Sequence, residues 1–215
     1  MLRILSRIFL VLVLLALAVA GYAFWPRQAD LRDFDADAVA RLETGMWRDY
    51  YSHDYKTLAT RLYALYHDIY RFSPADSARL AVYSGKAAQL FQPTTNRDEA
   101  QVALPMLVSY YTLLRDHGGE TFDPEKAAEM ELDWWQLRRE KIAPEQYGNV
   151  IAQVDEEIFK AHNDHVTKSA QIRAAMMRYR DDRRDGHMQD EDWAHIEQNL
   201  IESYRELKTG VARGS

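Results

Sequence analysis

Glu43, Glu131 and Arg138 are charged side chains at positions where helical periodicity asks for apolar ones. On a wheel of ~100° per residue, Glu131 and Arg138 fall near the middle of an apolar face. That face is made by Ala127, Ala128, Met130, Leu132, Trp134, Trp135, Leu137 and Ile142. Glu43 sits in the same way among Val39, Leu42, Met46, Trp47 and Tyr50. Both acids read Glu-x-x-x-Trp, which sets Trp47 one turn above Glu43 and Trp135 one turn above Glu131. An inward charge is costly unless it is paired, protonated or ligand-bound. Glu43, Trp47, Glu131, Trp135 and Arg138 are therefore the candidate binding cluster, with Glu43 the expected partner of Arg138. Its plain reading is a set of buried ion pairs among Glu43, Glu131, Arg138 and Arg173 that fixes helix register; its functional reading is a ligand pocket.

A second polar strip, Asp155, His162, His165, Ser169 and Arg173, shares the face of Ile151, Ile158 and Met176. His162-x-x-His165 has a chelating spacing, so these two are the candidate metal ligands. A ferritin-like di-metal centre would need Glu-x-x-His on two helices. None of the 7 His has a Glu three residues before it. With no Cys, the chain has no disulfide, thiolate metal site or thiol nucleophile. Gly-x-Ser-x-Gly, Ser-x-x-Lys, P-loop and His-Glu-x-x-His motifs are missing as well. No cofactor is expected. The Tyr63, Tyr66, Tyr70 stripe reads as core, and the alternating Arg and Asp residues from Arg178 to Asp185 read as a solvated face.

The elements that must position these residues are helical throughout, with no strand alternation. Helices are expected over about 35–51, 55–72, 75–91, 98–116 and 124–142. Ser73-Pro74 ends the second, Pro105 should kink the fourth, and Asp123-Pro124 opens the fifth. The longest pattern runs from Pro144 to about Asp185 and stops at Gly186. It carries Ile151, Val154, Ile158, Ala161, His165, Ser169, Ile172, Met176 and Tyr179 on one stripe. A last helix over about 189–208 should fold back on it across Arg184–Met188. No 34-residue period supports a tetratricopeptide array. The expected fold is all-α: an N-terminal transmembrane helix, then an irregular bundle of about seven helices ending in a long antiparallel hairpin.

Ile8 to Trp25 is an unbroken apolar run, preceded by Arg3 and Arg7 and followed by Pro26-Arg27. Its length suits a spanning helix, which needs about 20 residues. A cleaved secretory signal is the rival, with Ala18-Val19-Ala20 as the cleavage site. The aromatic end of the run, Tyr22, Phe24 and Trp25, favours a retained anchor with its interfacial belt. Arg3 and Arg7 place the N-terminus in the cytoplasm by the positive-inside rule. The expected layout is an anchor over 1–27, a polar linker over 28–37 and a helical domain over 38–209. That gives a single-pass protein of a bacterial inner membrane, with its C-terminal domain in the periplasm.

The chain carries a formal charge of −6, and the part beyond Arg3 and Arg7 is more acidic still. Phosphate backbones would repel it, so nucleic acid is not an expected partner. The expected function is a membrane-anchored binding or scaffold component, such as an accessory subunit of a membrane complex, with a protein partner. The alternative is a helical-bundle metal-binding protein or enzyme that uses the inward Glu and His residues.

Overall fold

The computed structural model describes residues 2–25, 27–183 and 188–213, with side chains from Ile8 onward. Every regular element among them is helical. The helices are α1 Leu2–Phe24, α2 Ala36–Tyr51, α3 Tyr55–Ala64, α4 Pro74–Phe91, α5 Arg97–Ala100, α6 Leu104–His117, α7 Pro124–Arg139, α8 Pro144–Phe159, α9 Asp164–Asp182 and α10 Asp190–Gly210. The side chains of Arg3 and Arg7, and residues Arg184–His187, where the sequence places the turn before the last helix, lie outside what is described.

Local chemistry sets most of the boundaries. Asp35, Asp54, Ser73, Asn96, Asp123 and Asn163 each accept a hydrogen bond from a backbone N–H in the first turn of the helix that follows. Pro74, Pro105, Pro124 and Pro144 occupy first-turn positions, where a missing N–H costs no helical bond. Gln189 and Asp192 close a reciprocal capping box at the start of α10. Beyond Ala64, α3 continues through one wide π-helical turn, Leu65–Ile69.

Two expected helices are each replaced by separate pieces. The helix expected over 98–116 divides into α5, a 3₁₀ turn at Gln101–Ala103 and α6. Pro105 thus begins a helix where it was expected to kink one. The long helix expected from Pro144 to Asp185 is also corrected. Lys160 adopts left-handed backbone, φ 48° and ψ 39°, and ends α8. Asn163 then caps α9 by accepting from the N–H groups of His165 and Val166 at 3.1 and 3.2 Å. The chain reverses there, and α8 packs against α9. The terminal hairpin is therefore α9 with α10, and α8 is a third, separate layer.

The packing order closes on itself. Helices α2, α3, α4, α6, α7, α8, α9 and α10 each lie against the next, and α10 returns to pack on α2. The bundle is a ring of helices. Small residues meet between α9 and α10: Ser169 and Ser203 are fully buried there, with their hydroxyls 3.0 Å apart. The core includes Phe72, Leu80, Leu107, Leu132, Ile196 and Leu200, and a smaller cluster centres on Tyr147, Ile151, Ala170, Ala174 and Met177.

The segment before α2 is built into the domain. Leu31 and Phe34 are buried. Arg32 bridges Glu120 at 2.6 and 2.8 Å and donates to the carbonyls of Val211 and Phe159. Arg213 holds Asp30 at 2.7 Å.

Helix α1 differs from the rest. Ile8, Phe9, Leu10, Leu14, Leu17, Val19, Phe24 and Trp25 all stay exposed. Among the described residues no helix is long and apolar enough to cross a membrane.

Candidate functional site

The ring surrounds a cavity of about 940 Å³. Every helix from α2 to α10 except α5 contributes to its lining. Glu43, Trp47, Glu131, Trp135 and Arg138 all face it, so the structure brings the five candidate residues to one place. Aliphatic and aromatic side chains make most of the wall, the aromatic ones including Tyr66, Tyr70, Tyr110, Tyr111, Trp134 and Tyr204. For these five residues the faces chosen on the helical wheels meet around a space.

The charges are arranged in two layers. Glu43 on α2, Glu131 on α7 and Arg173 on α9 form the inner layer, together with Asp155 on α8. Tyr51, Arg138 and Asp181 stand seven or eight residues further along the same three helices, about two turns or ~10–12 Å away.

In the inner layer, Arg173 donates to Oε1 of Glu43 at 3.4 Å, and the hydroxyl of Tyr204 donates to its Oε2. Glu131 has no guanidinium bonded to it. Its carboxylate instead accepts from Trp134 Nε1 at 2.7 Å, Trp135 Nε1 at 3.0 Å and the Tyr111 hydroxyl at 3.0 Å. Trp135 therefore bonds the acid one turn before it, as the Glu-x-x-x-Trp spacing suggests. Trp47 takes a different role: it packs on the core beside the cavity, while Glu43 is served by Arg173 and Tyr204.

Asp155 is buried, and its Oδ2 has no hydrogen-bond partner; Arg173 Nε is likewise unpartnered. Burial pushes the Asp155 carboxyl up to about 7; Arg173 opposes this, and Glu131, Glu43 and Glu156 add to it. Burial also raises Glu131, against the hydrogen bonds from Trp134, Tyr111 and Trp135 and the charge of Arg173. For Arg173, burial disfavours the charge, but Glu43, Asp155 and Glu131 outweigh it and hold the guanidinium ionised. The inner layer is one cation among three carboxyl groups, one of which titrates near neutrality.

The outer layer corrects the expected pairing of Arg138 with Glu43. Arg138 forks onto Asp181 at 2.8 and 2.9 Å and donates to the Tyr51 hydroxyl at 2.8 Å. The two-turn offset between Glu43 and Tyr51 along α2 puts Glu43 in the other layer. Arg180 lies 3.0 Å above the Tyr51 ring.

The polar strip of the expected long helix is dispersed by the break at Lys160. Asp155 and Arg173 stay inside, and Ser169 is buried against Ser203. His162 and His165 are exposed and engage separate acids, Glu156 at 3.0 Å and Glu206 at 2.6 Å. Among the described residues no group of three or more His, Asp or Glu could hold a metal ion.

Asp155, Arg173, Tyr111 and Tyr204 are among the site residues that the five-member cluster omits. The first two carry a sequence signal, their inward position on the strip. Tyr111 and Tyr204 give none, since a tyrosine on an apolar stripe looks like any core residue. No family model, no curated protein and no solved structure matches this chain.

Proposed function

We propose that the protein is a membrane-anchored periplasmic binding component, whose helical ring holds a small molecule in its central cavity and presents it to a partner of a membrane complex. The cavity is the observation that carries this reading. At about 940 Å³ it is the size of a ligand site, lined mostly by apolar and aromatic side chains with charged groups among them. Two of those groups, Asp155 Oδ2 and Arg173 Nε, are buried without partners, which is unfavourable unless something completes them.

Anchoring is supported by α1, whose large apolar side chains lie outside the core. Exposed apolar surface on that scale favours being covered, and a bilayer would cover it. At its end, Arg27 donates to the hydroxyl of Tyr22 and reaches His67, tying the end of the apolar run to α3.

The test is native mass spectrometry of the full chain extracted from membranes. A retained N-terminus and a small-molecule adduct are expected. A mature N-terminus at Gly21 would reject the anchor. A chain that carries no adduct, and yields no compound on solvent extraction, would reject the cavity as a binding site.

A second reading, an enzyme, rests on Asp155. A carboxyl poised near 7 beside other acids has the tuning that general acid–base catalysis uses. Incubating the extracted compound with fresh protein separates the two readings: chemical change favours the enzyme, and unchanged recovery favours binding.

A further inference from the structure

We propose that the cavity takes an organic cation, an ammonium group on an apolar body, with the charge against Asp155 and the body along the wall of Trp47, Trp134 and Trp135. This rests on the reading of the cavity as a binding site and adds the chemical class of what binds.

The charge balance of the inner layer is the first argument. Glu43, Glu131 and Asp155 surround a single guanidinium, that of Arg173. Arg173 is already committed to Glu43, and Glu131 is filled by three neutral donors. Asp155 alone keeps a bare carboxylate oxygen, on a residue 8% exposed that lines the cavity. An entering cation would give that oxygen the donor it lacks and offset the surplus of negative charge. An anion would meet three carboxyl groups, and a neutral alcohol would leave the surplus untouched.

The wall is the second argument. Aromatic faces attract cations, and this cavity already uses them so: Arg180 lies over Tyr51 and Arg173 over Tyr204. The surplus of acid belongs to the inner layer, where Asp155 lies; further out the lining is basic, with Arg138, Arg139, Lys141, Arg178 and Arg180 against Asp181 and Asp182. Arg138 is spent on Asp181, and Arg178 on Asp182 at 2.9 Å.

Calorimetric titration of the full chain in lipid nanodiscs, with empty nanodiscs as blank, provides the test. The probes are hexylammonium, hexan-1-ol and hexanoate, which share a body and differ in charge. Hexylammonium should bind at least about tenfold tighter than either of the others at pH 8, and Asp155→Asn should remove that preference. Should the variant not fold, the wild type supplies the same information. The titratable and charged groups around Asp155 are Glu131 on α7, Arg173 on α9, Glu43 on α2, Tyr111 on α6, Tyr70 beyond α3, and its chain neighbour Glu156 on α8. Protonation of Asp155 at pH 5.5 should weaken hexylammonium binding by at least about tenfold while leaving hexan-1-ol unaffected. Equal binding of hexan-1-ol, tighter binding of hexanoate, or a preference that survives both Asp155→Asn and pH 5.5 overturns the cation assignment but leaves a binding cavity. Failure of all three probes to bind overturns the cavity reading itself.

Discussion

Arg173 meets Glu43 at 3.4 Å across 130 residues of chain, and the pair ties α9 to α2 through the inside of the ring. Helix α10 packs on both of these helices, and its Tyr204 donates to the second oxygen of the same carboxylate. One acid thus receives the contacts that lock three elements at the point where the ring closes. Its guanidinium partner is also the cation that acts on Glu131 and Asp155. Replacing Arg173 with Met should cost about 3–5 kcal/mol, the usual penalty for stranding buried charge. Adding Glu43→Gln to Arg173→Met should restore part of that loss. Urea unfolding of the two variants followed by far-UV circular dichroism makes the comparison. A double variant no more stable than the single one would show that Glu43 is not the group left stranded.

Arg138 offers the contrast. Its pair with Asp181 has ideal forked geometry, yet the side chains keep 23% and 30% of their exposure. Water still screens them, so Arg138→Met should cost only about 1–2 kcal/mol, between the surface and buried limits. The ordering of the two variants is the sharp expectation: Arg138→Met melts higher than Arg173→Met. The reverse order would mean that the outer layer, and not the inner one, holds the ring shut.

Much of this arrangement is legible in the sequence. The inward placement of Glu43, Glu131 and Arg138 follows from a 3.6-residue period, because a wheel needs only local spacing. Pairing does not follow, because it depends on which turn of one helix lies level with which turn of another. Arg138 and Glu43 share the cavity but differ by two turns in height. The ring escapes for the same reason: closure of α10 on α2 is a long-range contact with no local sign. The break at Lys160 is hidden differently. Ile158, Ala161 and His165 continue a helical stripe across it, and neither Gly nor Pro marks the turn. The one local signal is Asn163, a strong N-cap residue.

That break can be tested at Lys160 itself. A residue with a Cβ in left-handed backbone is strained by roughly 1–2 kcal/mol, and glycine is not. Lys160 also pairs with Glu157, so truncation alone would mix two effects. Lys160→Ala and Lys160→Gly both lose that pair and differ in backbone strain. Glycine should be the more stable of the two by about 1 kcal/mol, after its larger unfolded-state entropy is set against the strain relieved. Alanine more stable than glycine by about 1 kcal/mol, the preference of a helix interior, would show that the chain does not reverse here and that the single long helix is the better description.

Asp155 gives the fold a pH dependence opposite in sign to that of ordinary paired acids. Its carboxyl titrates near 7 in the folded chain because burial outweighs the pull of Arg173, against an ordinary value of 3.8. Between those values the folded state holds a proton that the unfolded state has released. Stability must therefore fall as pH rises from about 4 to about 7, and this contribution levels off above that. Three pH units correspond to roughly 4 kcal/mol as an upper bound. Glu131, also raised by burial, adds a contribution of the same sign, so the comparison with Asp155→Asn isolates the residue of interest. Asparagine cannot ionise. The variant should match or trail the wild type at pH 4.5 and gain on it steadily up to pH 7.5 in urea unfolding at fixed ionic strength. A stability difference that stays flat across this range would mean that Asp155 keeps an ordinary carboxylate value. Water would then have to reach it, and the bare oxygen at the centre of the cavity would need no ligand to complete it.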